Sequence, residues 1–131
     1  MIPVSTSAGG LCLAFPDVCL VPSSSGPVPL PFPNIGMLEL TVDTAAGVYA
    51  DGAPLVVETS VIPSSTGDEA GTLGGVASGT TCGPVRFMTA SSKVYAKGKR
   101  VVLLGAVTSH NDDNAVGQQV APSQSKVLAS T

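Results

Sequence analysis

Apolar and polar residues alternate in three places along the chain. They are "MLELTV" (37–42), "GVYADGAPLVVETSVI" (47–62) and "SKVYAKGKRVVLLGAV" (92–107). A period of two marks a strand with one buried face. Each of the two longer segments is an apolar run, a glycine-containing turn and a second apolar run, which predicts a β-hairpin. Asp51-Gly52 is a favoured pair for a two-residue type I′ turn, and Lys97-Gly98 is a weaker version at the same place. No window keeps a helical apolar period for more than about two turns without a Gly or Pro.

The two hairpins read as copies. Val48-Tyr49-Ala50 recurs as Val94-Tyr95-Ala96, with Gly52 matched by Gly98 and Val56 by Val102. A repeated hairpin predicts a pseudo-symmetric β fold. Equivalent turns would give Gly52 and Gly98 the same positive φ. Gly10, outside the repeat, is expected to tolerate a larger residue. Tyr49 and Tyr95 are expected to fill core or groove positions. Residues 63–83, "PSSTGDEAGTLGGVASGTTCG", form a Gly/Ser/Thr connector of a length that usually carries a function. Residues 112–131 are polar without a clear period. They read as a peripheral tail on a single domain spanning 1–131, with a short strand near Lys126–Leu128.

Composition narrows the function. The 131 residues suit one domain. Only 11% of residues are charged, and the net charge is −3 with no basic run, which argues against a nucleic-acid partner. A neutral surface predicts that part of it is buried against a partner protein. No apolar run approaches the roughly 20 residues needed to cross a bilayer, so no stable membrane anchoring is expected. The N-terminus lacks a signal-peptide pattern, and three cysteines cannot complete a disulfide framework. Synthesis in the cytoplasm is the expectation. "PDVCLVPSSSGPVPLPFPN" (16–34) holds six prolines and one charge, Asp17. Such a strap is stiff and resists edge pairing.

Candidate chemistry is sparse. Cys12, Cys19, Cys82 and His110 are the only soft metal ligands, and together they would make a Cys3His zinc set. The Cys12–Cys19 spacing is wider than in a usual zinc knuckle. Each cysteine can equally be a small buried hydrophobe. Asp68 and Glu69 are adjacent, so in extended backbone they face opposite ways and form no catalytic dyad. The bland reading is a tight turn capped by side chains. His110 with Asp112 lacks a nucleophile placed by any motif, since G-x-S-x-G does not occur, and no enzymatic activity is expected.

"PDVC", the Pro-rich span after it, "PFPNIG", "STGDEAGT", "SGTTCG", "VYAKGKRVV" and "TSHN" follow one another between Phe15 and Asn111. In combination they resemble the PAAR-like proteins of the DUF4150 family, which cap the spikes of contractile injection systems. The resemblance implies an all-β fold, a small pseudo-symmetric cone of β-hairpins with Pro/Gly-rich loops. It implies a structural role: one copy caps and sharpens a trimeric VgrG-like spike of a type VI secretion or phage-tail-like machine. The protein would then leave the cell as part of an injection particle. It implies zinc near the tip, with Cys19 and His110 on family-like motifs and Cys12 and Cys82 not required by them. The single histidine departs from PAAR domains that carry several. Phe32, Asn34 and Ile35 of "PFPNIG" are candidate spike contacts, with core packing as the alternative. The alternative function is an adaptor that loads an effector. With the chain ending at Thr131, that effector is expected to be a separate protein.

Overall fold

The computed structural model describes residues 1–130; Thr131, the end of the expected tail, lies outside them. The described residues form twelve strands and one 3-10 turn. In chain order these are β1 (Ile2–Pro3), β2 (Leu11–Val21), β3 (Val28–Met37), the 3-10 turn (Leu38–Leu40), β4 (Ala45–Ala50), β5 (Ala53–Leu55) and β6 (Val61–Ile62). They continue with β7 (Val85–Phe87), β8 (Tyr95–Ala96), β9 (Lys99–Arg100), β10 (Val107–His110), β11 (Ala115–Ala121) and β12 (Leu128–Ala129). The all-β expectation holds.

Both expected hairpins form, β4 with β5 and β8 with β9. Asp51 and Gly52 have φ of 50° and 83°, and Lys97 and Gly98 have 56° and 78°. Positive φ at both central residues defines the type I′ turn, whose twist matches that of the flanking strands. The copies are equivalent down to their pairing: Tyr49 faces Pro54 as Tyr95 faces Arg100, and Ala50 faces Ala53 as Ala96 faces Lys99.

A third copy completes the set, and it is split between the two ends of the chain. β12 pairs with β1 so that Leu128 faces Pro3 and Ala129 faces Ile2. Val127-Leu128-Ala129 therefore stands where Val48-Tyr49-Ala50 and Val94-Tyr95-Ala96 stand. The Val4 amide donates to the Val127 carbonyl as the Val101 amide donates to Val94, each at 3.1 Å.

The strands that follow the three hairpins meet around one axis. The Ser5 amide donates to the Val102 carbonyl (2.9 Å), the Val102 amide to Val56 (2.9 Å), and the Val56 amide to Ser5 (3.0 Å). A second closed set runs from Ser7 to Pro54 (3.2 Å), Glu58 to Arg100 (2.9 Å) and Leu104 to Pro3 (2.9 Å). Buried backbone groups must find partners, and here three segments satisfy one another in rotation. Strand alternation then sorts the side chains. Val4, Leu55, Val57, Val101 and Leu103 join Ala50, Ala96 and Ala129 in one core cluster. Val56 and Val102 point the other way, into a second cluster with Cys12, Leu38, Ile62, Val85 and Phe87. Each fully buried valine stabilises the fold by about 1.5–3 kcal/mol.

A six-stranded antiparallel sheet covers the second cluster, in the order β3-β2-β11-β10-β7-β6. The proline strap is folded into the long β2–β3 hairpin. Pro29, Pro31 and Pro33 occupy alternate positions of the edge strand β3, so their missing N–H groups all fall on its open side, where proline disturbs no ladder. Ile35, the first non-proline at that phase, uses its N–H to bond Thr66 of the connector at 2.7 Å.

Four expectations are corrected. Residues 115–121 of the expected tail form β11, between β2 and β10. Their polar composition misleads because Gln119 is buried with its amide satisfied, accepting from the Ser5 hydroxyl and donating to Ala121. "MLELTV" is mostly a 3-10 turn, since Thr41 returns both its amide and its hydroxyl to the Leu38 carbonyl. Of the expected core or groove positions for Tyr49 and Tyr95 the core one fails: they are 62% and 58% exposed, because the buried positions of those strands belong to alanine, while Tyr49 does line a groove. Gly10 has φ of 102°, and a Cβ there would lie 2.8 Å from the Ala121 carbonyl oxygen.

The turn equivalence generates a prediction. A Cβ at Gly52 or Gly98 meets nothing within 4 Å, so only backbone strain opposes substitution. Gly52→Val and Gly98→Val should each cost roughly 1–3 kcal/mol in urea denaturation. The two costs should be similar and should add in the double variant. Gly10→Val should cost more than either, because strain and a backbone collision combine.

Candidate functional site

Five of the quoted motifs converge on one buried polar centre. β2 contributes Asp17 and Cys19, and β3 contributes Asn34. The connector contributes Ser65, Asp68 and Cys82, and β10 contributes Thr108 and His110. The β10–β11 turn adds Asn111 and Asn114. That turn holds Asn111, Asp112 and Asp113 at φ of 50°, 56° and 68°. Asn and Asp enter this left-handed region more readily than other non-glycine residues.

Two asparagine side chains pin the connector to the sheet. Asn111 Nδ2 donates to the Thr80 carbonyl (2.8 Å), and its Oδ1 accepts from the Gly83 amide (2.8 Å). Asn114 Oδ1 accepts from the Ala77 and Ser78 amides (2.8 and 3.1 Å), while its Nδ2 donates to the Val18 carbonyl (3.0 Å). A side chain at Gly71 would collide with the Cβ of Cys19, so glycine there allows the connector to lie against β2.

At the centre, Asp17, Cys19 and Asp68 are all buried, with ligand atoms within 4.8 Å of one another. Asp68, Glu69 and Cys82 form an overlapping group. These Asp/Cys groups can hold a metal ion. Asp17 Oδ1 accepts from both Asn111 and Asn114, whereas Asp17 Oδ2 is buried without a partner. Burial raises the Asp17 pKa above the ordinary carboxylate range, and the neighbouring Asp68 carboxyl raises it further. The Cys19 thiol is pushed up to about 12 by burial, then by the charges of Asp17 and Asp68. Burial and the hydrogen bond to Asp68 push Cys82 up to about 12 as well.

His110 takes no part in this donor set. The Thr108 hydroxyl donates to its Nε2 (2.7 Å), and its Nδ1–H donates to Asn34 Oδ1 (2.8 Å). Asn34 passes the chain on to Ser65 (3.0 Å), and Ser65 to the Gly83 carbonyl (2.7 Å). With both ring nitrogens engaged, no lone pair is left for a metal. Asp112 pairs with Arg86 at 3.3 Å rather than with His110.

The remaining expected site residues are scattered. Cys12 packs in the apolar cluster, where burial pushes its thiol up to about 12. Asn34 is fully buried and cannot contact a spike; its amide is consumed by His110 and Ser65. Phe32 is half-buried beside Gly71. Ile35 is half-buried and shares a row with Leu13 on the outer sheet face. Asp17, Asp68, Asn111 and Asn114 were not assigned a joint role by sequence. "NDDN" after His110 is a turn signal that would have revealed the last two.

A second feature lies on the pseudo-threefold axis. An apolar pit of ≈ 330 Å³ opens among the three hairpins. Its lining includes Val4, Leu55 and Val101, one from each copy, with Tyr49 and Leu128 at equivalent exposed positions.

Comparison with known proteins agrees with this architecture. The family described as Toxin PAAR-like domain matches residues 10–117, and the chain belongs to that family. The resemblance carried by the motifs is thereby borne out. The DNase toxin Tse7 of Pseudomonas aeruginosa is 30% identical over 117 residues. That alignment covers 84% of this chain and 30% of Tse7, so the chain spans under a third of the relative's length. No solved structure matches the chain.

Burial of His110 makes stability depend on pH. Burial lowers its pKa from 6.5 to about 4, against the opposing pull of Asp17. Between those values the unfolded chain binds the proton and the folded chain does not. The contribution of His110 is therefore complete above 6.5 and is lost as pH falls toward 4, by up to about 3 kcal/mol. The raised pKa of Asp17 acts in the opposite sense. Subtracting the urea-unfolding profile of His110→Gln from that of wild type should isolate the histidine term.

Proposed function

We propose that this chain is the tip of a contractile injection spike, seated as one copy on the end of a trimeric VgrG-like protein. The observation that carries this reading is the closed exchange of backbone hydrogen bonds among Ser5, Val56 and Val102. A single asymmetric chain meets three identical subunits with three different contacts. A chain with internal threefold repetition offers each subunit an equivalent surface, extending the symmetry of the trimer. The apolar pit on that axis suits an apolar spike end. The low charge of the chain limits the cost of burying polar groups.

The role is mechanical rather than catalytic. The connector is fastened to the sheet by buried asparagines, and the exposed edge of β3 is closed to pairing by proline. Both features suit a body made in the cytoplasm and driven out on a particle.

A second reading, that the domain also carries an effector, has its own support. Tse7 is named a DNase toxin, and most of its length lies outside the matched region. The strands β2, β3 and β11 also present an outer face with Leu11, Leu13, Phe15, Met37, Val116 and Val120 exposed. The only charged residue of these strands, Asp17, is buried. Such a face suits an apolar cargo.

Native mass spectrometry of the chain mixed with a trimeric VgrG-type protein tests the main reading. One copy per trimer is expected. Tyr95→Asp and Leu128→Asp, both at exposed positions, should weaken the complex by tenfold or more while leaving the fold intact. Phe15→Asp, away from the axis, should not. Another ratio, or binding indifferent to the axial variants, would reject the reading.

A further inference from the structure

We propose that the first strands of the three hairpins, β4, β8 and β12, are docking edges, each of which takes one extended strand from one subunit of the trimeric spike. The inference rests on the spike-tip reading and adds what the partner must offer: three identical extended segments, held by backbone pairing. Strand addition of this kind draws its affinity from main-chain hydrogen bonds.

The pairing register supplies the first support. Facing residues of an antiparallel pair alternate between bonded and non-bonded positions. The Val101 amide donates to Val94 and the Val4 amide to Val127, so the next pairs, Tyr95 with Arg100 and Leu128 with Pro3, are non-bonded. In the remaining hairpin Ala50 and Ala53 flank the two-residue turn as its bonded pair, which leaves Tyr49 and Pro54 non-bonded. The N–H and C=O of Tyr49, Tyr95 and Leu128 therefore point out of their hairpins, and they meet no partner among the described residues. All three side chains are exposed.

The opposite strands show what a closed edge looks like. The carbonyls of Pro3, Pro54 and Arg100 accept from the amides of Leu104, Ser7 and Glu58. Pro3 and Pro54 carry no N–H, and the Arg100 N–H is taken by Glu58 Oε2 at 3.1 Å. The large sheet is guarded as well, by the prolines of β3 and by Val42, which exchanges two backbone bonds with Val61 of β6. Sheets protect their edges in such ways against stray pairing. β4, β8 and β12 contain no proline and no charged residue, and their outward groups are left open.

Placement supplies the third support. Tyr49 and Ala50 of β4, Val94 just before β8, and Leu128 and Ala129 of β12 line the axial pit, so the three edges ring its mouth. A strand laid on each edge would turn alternate side chains toward that pit. Each edge is short. In two of the copies the next outward amides are spent, Lys93 on Ser91 Oγ at 3.2 Å and Lys126 on Gln124 Oε1 at 2.7 Å. One N–H and one C=O are too few to hold a lone chain. Three edges offered together to three joined subunits act as one multivalent contact, which selects a trimer over a single strand.

The test repeats the device seen at Pro3 and Pro54. Tyr49→Pro, Tyr95→Pro and Leu128→Pro each remove an outward N–H without removing a bond within the hairpin. Affinity for the trimeric VgrG-type protein should fall tenfold or more below that of Tyr49→Ala, Tyr95→Ala and Leu128→Ala, which lose only the side chain. Equal affinities of the matched Pro and Ala variants would overturn the edge pairing. Should the proline variants not fold, hydrogen exchange of the wild type decides. The Tyr49, Tyr95 and Leu128 amides should exchange fast in the free chain and be protected in the complex. A one-per-trimer complex in which they still exchange fast would overturn the edge pairing and leave the spike-tip reading standing. The absence of any complex would overturn both.

Discussion

Everything in this fold depends on three short backbone segments satisfying one another around an axis. Ser5, Val56 and Val102 each donate one hydrogen bond and accept one within a closed set. Two strands can pair face to face without limit, but three arranged in rotation use up their inward groups and leave no edge at the centre. Side-chain alternation then divides the interior, sending Val56 and Val102 beneath the six-stranded sheet and their neighbours toward the hairpins. The two cores are opposite sides of the same three strands. A substitution that tilts one strand disturbs both.

The polar centre is the counterpart of that axis. The long connector has little apolar surface of its own and few regular strand pairings. Beyond its backbone bonds to Val18, Leu20 and Ile35, it is held by side chains that reach it from the sheet, chiefly Asn111 and Asn114. This explains why so many polar residues are buried in a chain with so few charges. They supplement the few backbone bonds that the glycine-rich loop makes to β2 and β3, and they gather two carboxylates and two thiols as they do so.

The two intact hairpins were legible because turn chemistry is local: Asp51-Gly52 and Lys97-Gly98 dictate it within a few residues. The third was hidden because its halves lie at opposite ends of the chain and leucine replaces tyrosine at Leu128. β11 was hidden because Gln119 is polar yet buried, a choice settled by the Ser5 hydroxyl far away in sequence. The motif words marked the right region of the site but not its partners. Cys19 was legible as a candidate, while Asp68, its neighbour in space, lies 49 residues on. His110 looked like a ligand because its two nitrogens are spoken for only by Thr108 and Asn34, contacts that no spacing rule reveals.

The split hairpin also has a kinetic consequence. Its pairing of Ile2 with Ala129 joins residues near opposite ends of the described chain. Contacts of such sequence separation demand that most of the loop entropy be surrendered before any of their stabilisation is gained. The two continuous hairpins can form early by themselves, within microseconds. The axis closes only when the last strand finds the first, so folding should be slow for the chain's size and cooperative at the end. Until that moment Val4, Leu55 and Val101 are open to solvent and to other chains. A partner that covers this end would shield the slowest-forming part of the molecule.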